Sequence, residues 1–322
     1  MITNKQIVAK IQKAQNIALF AHVEPDTDAC GSMFGMRALC RELGKNADMF
    51  YSNYGEYVAN LFPMEQVKTE FVAKEYDLVI FLDMHVEARL EKCFIEEFRK
   101  CKNVLVIDHH VLDEKETVPT KDFRIIQKAS ASQLVLDLYR EIGKKPSLEA
   151  ATYLYTGLAG DTDRFMFIAG YADVFDDAKY LLDCGVNYVD IYNKMFRTIS
   201  HKEIALTKLL YSKLQYFNDG EVVLMIFTTK MMKKHGATIE DVKMFSNSLL
   251  NIKGVRWSFL VYQVGKNIFK VSMRSAPEIN LMPLAIKMGG GGHKNAAAFT
   301  TEIKESQIKK TVKSWVNEVL NG

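Results

Sequence analysis

The chain has little that would staple, anchor or loosen it. Five cysteines (Cys30, Cys40, Cys93, Cys101 and Cys184) are scattered through 322 residues with no C-x-x-C pair. An odd, scattered set argues against a disulfide framework or a thiolate zinc site and points to a reducing compartment. There are only six prolines, and no Pro/Ser-rich linker, low-complexity tract or internal repeat. No run approaches the roughly 20 apolar residues of a membrane helix. Met1–Lys13 carries polar residues throughout and lacks the apolar core of a signal peptide. A cytoplasmic protein without membrane contact is therefore expected. Excess charge is missing too, since 42 basic against 39 acidic residues leave only +3. Proteins that grip long duplex nucleic acid carry a stronger basic bias. A small anion held by a few well-placed cations fits this balance better.

With 48% hydrophobic residues the chain can build two cores, and its length exceeds one typical domain. Ile17–Ala21, Leu78–Leu82 and Val104–Ile107 are short, almost wholly apolar runs, as strands buried on both faces of a parallel sheet require. Helical patterns lie between and after them, at Gly31–Leu43, Glu87–Lys100, Ser132–Ile142 and Leu148–Leu158. This alternation predicts an α/β fold: an N-terminal doubly wound, mostly parallel sheet domain over residues 1–186. A helical linker is expected over 187–218, within a strandless stretch from Asp173 to Phe217. A smaller C-terminal α/β domain is expected over 219–322, with a metal cleft between the two. Its predicted strands are Glu221–Thr228, Val255–Val264, Ile268–Met273 and Ala296–Thr301, with helices at Asp241–Leu250, Leu281–Met288 and Ser306–Leu320.

Hard ligands follow each of the first three strands. The first leads into His22-Val-Glu-Pro-Asp26-Thr-Asp28, the second into Asp83, the third into Asp108-His109-His110. Ligands of open parallel sheets bind outside the carboxyl ends of the strands, so the three segments should converge. Asp161, just beyond an apolar helix, is a fourth contributor. A lone aspartate after a strand is commonly a turn residue. Three consecutive polar groups at a buried sheet end, however, need strong partners. Mixed carboxylates and imidazoles suit manganese, with magnesium, iron, cobalt or zinc admissible. His22, Asp26, Asp28, Asp83, His109 and Asp161 make six ligands, too many for one open catalytic ion and right for two divalent ions sharing a carboxylate. Such a pair can clamp the attacking and leaving oxygens of phosphoryl transfer.

A second element is Met288-Gly289-Gly290-Gly291-Gly292-His293-Lys294-Asn295-Ala296-Ala297-Ala298-Phe299. Four glycines permit positive φ and let backbone N–H groups converge on an anion. His293 and Lys294 add charge or hydrogen bonds there. Arg274 and Ser275 are expected companions, because guanidinium grips phosphate in bidentate fashion. Arg164 could face substrate or serve only a salt bridge.

Taken in order, His22-x-x-x-Asp26-x-Asp28-x-x-Gly31-Ser32, Asp83, Asp108-His109-His110 and Asp161 resemble the successive motifs of the DHH phosphoesterase superfamily. Gly289–Ala298 resembles the glycine-rich motif of the DHH-associated C-terminal domain. The resemblance covers nearly the whole chain and looks most like the short bacterial members that act as oligoribonucleases on nanoRNA and as 3′-phosphoadenosine-5′-phosphate (pAp) phosphatases. It implies that His22, Asp26 and Asp83 hold one manganese, and that Asp28, Asp83, His109 and Asp161 hold the other. Asp83 would bridge them. It implies that Asp108 orients imidazoles and that His110 sits beside the scissile phosphate, attacked in line by a metal-bridging hydroxide. Arg274, Gly291, Gly292, His293 and Asn295 would hold a terminal phosphate or nucleotide. Short RNA oligonucleotides or small nucleotides are the implied partners, and a homodimer is left open. A cyclic di-AMP or linear-dinucleotide phosphodiesterase, or a nucleotide sensor without chemistry, are the alternatives. Two positions depart from the pattern: Thr27 and Ala298 each stand where glycine is usual.

Overall fold

The strands of the first half alternate their side chains between two apolar faces, and that alternation builds the first core. The computed structural model describes residues 1–112, 117–166, 168, 171–197 and 199–321; the side chains of His293, Leu320 and Asn321 lie outside the described set. Two units result, Met1–Thr198 and Ile199–Gly322.

In the first unit, β1 (Asn16–Phe20), β2 (Asn46–Met49), β3 (Leu78–Leu82), β4 (Val104–Asp108) and β5 (Phe123–Ile125) form one sheet in the order β2-β1-β3-β4-β5. Every pairing is parallel. Ile17, Leu19, Ile80, Leu82, Leu105 and Ile107 pack on one face with the helices Asn4–Lys13, Thr27–Glu42, Ala131–Glu141 and Leu148–Asp161. Ala18, Phe20, Val79, Phe81 and Val106 pack on the other with Phe50, Phe71 and Phe94. Strand order reverses between β1 and β3, which opens the crevice where doubly wound sheets bind ligands. Sequence periodicity missed β2 and β5, both short and at the sheet edges. The expected Glu87–Lys100 helix is a 3-10 turn at Glu87–Arg89 followed by a helix at Lys92–Phe98.

Asp173–Phe217 is not strandless. It contains helices at Asp173–Leu182, Tyr188–Phe196 and His201–Lys213, then β6 at Gln215–Phe217. Ile191 and Met195 of the second helix belong to the core of the first unit, whereas Leu206 and Leu210 of the third belong to the second unit.

The second unit is a mixed sheet of β6, β7 (Val222–Phe227), β8 (Trp257–Gly265), β9 (Ile268–Ser275), β10 (Gly291–His293) and β11 (Ala296–Glu302), in the order β10-β11-β9-β8-β7-β6. Only β7–β8 is parallel. Phe269, Val271 and Met273 of β9 face a core closed by the C-terminal helix, through Ile308, Val312 and Trp315. The alternate residues Lys270, Ser272 and Arg274 therefore face the other way. The glycine run, expected to gather backbone N–H groups around an anion, forms β10 from Gly291, antiparallel to β11. Among the described residues no helix is long and apolar enough to cross a membrane.

Candidate metal centre

Each expected ligand is placed by a local backbone device. Asp26 is the N-cap of the Thr27–Glu42 helix, its Oδ1 accepting from the amides of Asp28 (2.9 Å) and Ala29 (3.0 Å). That cap holds Asp28 in the first helical turn, where the helix dipole favours a carboxylate. Asp28 is fully buried, and the start of the Ala131–Glu141 helix meets it. The Ser132 amide (2.9 Å) and hydroxyl (2.5 Å) donate to its Oδ1, and the Ala131 amide (2.5 Å) donates to its Oδ2. Ser130, not Ser132, caps that helix. Asp83 follows β3 with φ of 56°, a left-handed conformation that turns its carboxylate back over the sheet end.

Close helix packing brings in the last ligand. A side chain at Gly31 would stand 2.8 Å from the Cα of Gly157, so the Thr27–Glu42 and Leu148–Asp161 helices touch backbone to backbone. That approach sets Asp161, at the end of the second helix, near Asp28 at the start of the first. Thr27, where the family pattern has glycine, lies against Gly160, which has no Cβ to collide with it.

The six ligands converge. His22 Nε2 is 3.3 Å from Asp83 Oδ2 and 3.7 Å from Asp26 Oδ2. His109 Nε2 is 3.2 Å from Asp83 Oδ1, 3.5 Å from Asp161 Oδ2 and 3.9 Å from Asp28 Oδ2. The two oxygens of Asp83 thus face two different imidazoles, His22 with Asp26 beside it and His109 with Asp28 and Asp161 beside it. His22 Nδ1 is 2.9 Å from the Val23 carbonyl and His109 Nδ1 is 3.0 Å from the Lys128 carbonyl, so each Nδ1–H donates there. Both Nε2 lone pairs are left for cations, the usual arrangement of metal-binding histidine.

Electrostatics also call for added positive charge. Burial raises the Asp28 carboxyl well above its usual range, and Asp83 and Asp161 raise it further. Asp161 is pushed up to about 6, chiefly by burial, with Asp83 and Asp26 adding to it against the pull of His109. Burial opposes charging His22, but Asp26 and Asp83 outweigh it and lift the imidazole to about 10. His109 is raised to about 10 as well, burial being overcome by Asp83, Asp28 and Asp161. Asp83 Oδ1 is buried and, among the described residues, receives no well-directed hydrogen bond, although His109 Nε2 lies 3.2 Å away, a costly state unless a cation meets it. The donor set therefore fits a pair of hard or borderline divalent ions.

Asp108 is fully buried. Its Oδ1 accepts from the His109 amide (2.8 Å), the His110 amide (3.3 Å) and His110 Nδ1 (2.8 Å), while His85 Nδ1 meets Oδ2. Burial opposes its ionisation, but His110 and His85 hold the carboxyl well below the usual range. The sequence reading did not select His85; its one signal is its place two residues after Asp83. The His110 side chain is about a third exposed, so its Nε2 edge is open to a ligand.

In the second unit, Arg274, Gly291 and Gly292 line a cavity of about 410 Å³. Lys243, Lys270, Ser246 and Ser272, which sequence reasoning missed, line it too, and among the described residues its charged lining is basic. Arg274 is oriented by Asn247 Oδ1 (2.8 Å) and the Met273 carbonyl (2.9 Å). Ala298, the other departure from the family pattern, also lines this cavity. Ser275 and Asn295 do not line it. Ser275 Oγ donates to the Ile279 carbonyl, and Asn295 Nδ2 donates to Ser275 Oγ and to the carbonyls of Ala276 and Ile279, so both hold a loop. Lys294 is exposed, and the His293 side chain lies outside the described residues. Arg164 pairs with Asp163 at 2.8 Å and lies over the Phe196 ring.

A parallel sheet with carboxylates and imidazoles gathered at its switch point defines an α/β protein with a candidate metal centre. Comparison with known proteins then gives the family. The DHH family N-terminal domain matches residues 16–158 and the DHHA1 domain matches residues 210–318. The chain belongs to the DHH phosphoesterase superfamily, with a DHHA1 domain following the first unit. It is 28% identical to the bifunctional oligoribonuclease and PAP phosphatase NrnA of Mycoplasma pneumoniae, over 94% of this chain and 93% of that one. It is 27% identical to the protein of the same name from Bacillus subtilis, over 89% and 90%. The crystal structure of an exopolyphosphatase-related protein from Bacteroides fragilis shares the fold, with a TM-score of 0.87 at 23% identity over 98% of this chain and 95% of that one.

Proposed function

We propose that the protein is a two-metal, manganese-dependent phosphoesterase that hydrolyses short oligoribonucleotides and pAp. The observation that carries this reading is the Asp83 carboxylate, whose two oxygens face His22 on one side and His109 on the other. Two divalent cations bound there would supply an acidified water and neutralise charge on the phosphoryl oxygens. His22, Asp26 and Asp83 would hold one, and Asp28, Asp83, His109 and Asp161 the other. His110 offers its open edge to the scissile phosphate, as electrostatic stabiliser or proton donor when Nε2 carries a second proton, with Asp108 accepting from Nδ1–H and fixing the ring. Arg274, with the backbone of Gly291 and Gly292, binds a terminal phosphate in the basic cavity of the second unit. The NrnA relatives, matched over most of both chains, support this choice of substrates.

The test is turnover of pAp, RNAs of two to several nucleotides, cyclic di-AMP and a long single strand by purified protein with manganese. Hydrolysis of pAp and of the shortest RNAs, with little on the long strand, is expected. Preference for cyclic di-AMP would replace the substrate assignment, and no turnover of any phosphoester would end the enzymatic reading. Asp83→Ala should abolish hydrolysis of every substrate, because both cations lose a ligand. Retained activity with bound metal would remove Asp83 from the shared position. Arg274→Ala should act mainly on KM, since that side chain binds away from the reacting bond. Unchanged kinetics would take it off the binding site.

A further inference from the structure

We infer that His85 is a positioning residue for the reaction, clamping Asp108 so that the His110 ring is held in one orientation and one tautomer. The inference rests on the assignment of His110 to the reacting phosphate. Its structural part stands on hydrogen bonding alone.

The Asp108 carboxylate has no access to solvent. Its Oδ1 is engaged by three donors from the two residues that follow it: the amides of His109 and His110 and His110 Nδ1. All three hold Oδ1 alone, and none of them reaches Oδ2. His85 Nδ1 meets the other oxygen, Oδ2, from a different strand end. With both oxygens held by groups from two segments, rotation about the last side-chain bond of Asp108 is blocked. His85 is itself buried, with 5% exposure, so the clamp is shielded from competing water.

The consequence falls on His110. Its Nδ1 lies 2.8 Å from Asp108 Oδ1 and 3.5 Å from Asp83 Oδ1. A pivot of Asp108 would therefore let the ring exchange one carboxylate for the other and tilt toward the metal ligands. Held by His85, Asp108 keeps the Nδ1 proton and His110 directs Nε2 outward. Loss of such outer partners of a metal site typically costs roughly 10–100-fold. His85 touches neither substrate nor cation in this scheme; it acts through Asp108.

The experiment compares wild type, His85→Leu and His85→Gln in two readouts. One is steady-state turnover of pAp and a diribonucleotide with manganese. The other is the ring-nitrogen NMR spectrum of the magnesium-loaded protein, in which His110 is assigned by its own substitution. His85→Leu should lower kcat roughly 10–100-fold, leave KM within about twofold, and reduce the Nδ1-protonated form of His110. His85→Gln keeps a donor and should recover most of the loss. His85→Leu with wild-type kcat and an unchanged His110 spectrum would overturn the inference. If His85→Leu does not fold, wild type alone still decides: His110 protonated on Nε2 rather than Nδ1 overturns it. Absence of turnover in every form would sink the functional reading, while the ring spectrum would still test the clamp.

Discussion

At the scale of single residues, the centre holds protons where the proposed cations would bind. His22 and His109 titrate near 10 because each imidazole, although buried, faces carboxylates. Both are therefore charged at pH 7, and a cation can bind only after displacing both protons. Asp161, near 6, adds a fraction of a third below neutrality. The sign follows directly: raising pH removes the competing protons, so metal affinity tightens as pH rises. Calorimetric titration with manganese in buffers of different ionisation enthalpy should give about two protons released from the imidazoles at pH 7, with the raised Asp28 and Asp161 carboxyls adding to that number. The dissociation constant should fall by about tenfold per proton for each pH unit. Release of none would mean that the imidazoles are already neutral. His22→Gln should remove about one of the two. That these residues converge was legible in the sequence, because hard donors follow three apolar strands in turn and such strands end on one side of a parallel sheet. His85 was not: one histidine in a loop carries no pattern, and only the fold shows that it meets Asp108 from another strand end.

At the scale of elements, the centre depends on how closely two helices approach. Thr27–Glu42 and Leu148–Asp161 run against each other through Gly31 and Gly157, with Thr27 filling the space above Gly160. Gly157 also leaves room for the Ser132 hydroxyl and for Asp28, whose Oδ1 would stand 2.9 Å from an added Cβ. Gly31→Ala should push the helices apart and cost about 1–3 kcal/mol, the usual penalty of overpacking. Because Asp28 and Asp161 ride on those helices, manganese binding should weaken as well. Gly55→Ala is the control: it sits at φ −77° with open space around its Cβ direction, and should change neither stability nor binding. Urea unfolding and metal titration of both variants test this, and a neutral Gly31→Ala would refute the close-packing argument. Apolar runs revealed the central strands of this unit. Edge strands β2 and β5 and the strand in the glycine run escaped, because short pairings depend on neighbours that sequence periodicity does not contain. The glycines read as a phosphate loop are part of a hairpin: Gly290 and Gly292 have no Cβ to meet the backbone of β11.

At the scale of the whole molecule, the ligands of the proposed cations all belong to one of the two units. His22 through Asp161 lie within Met1–Thr198, while the basic cavity lies within Ile199–Gly322. Each unit has its own apolar core, so the two need not melt together. Cations that bind only the folded first unit should raise its stability alone. At a free concentration 100-fold over the dissociation constant each of the two sites contributes about 2.7 kcal/mol, together about 5.4 kcal/mol. For a unit of this size each kcal/mol moves the midpoint by about 2–4 °C, which predicts a shift of roughly 11–22 °C. Calorimetry with manganese and with chelator should therefore show one transition moving by that amount and a second staying in place. Asp83→Ala should abolish the movement without altering the second transition. A single transition that shifts as a whole would show instead that the units unfold as one, and the bound cations would then stabilise the entire chain.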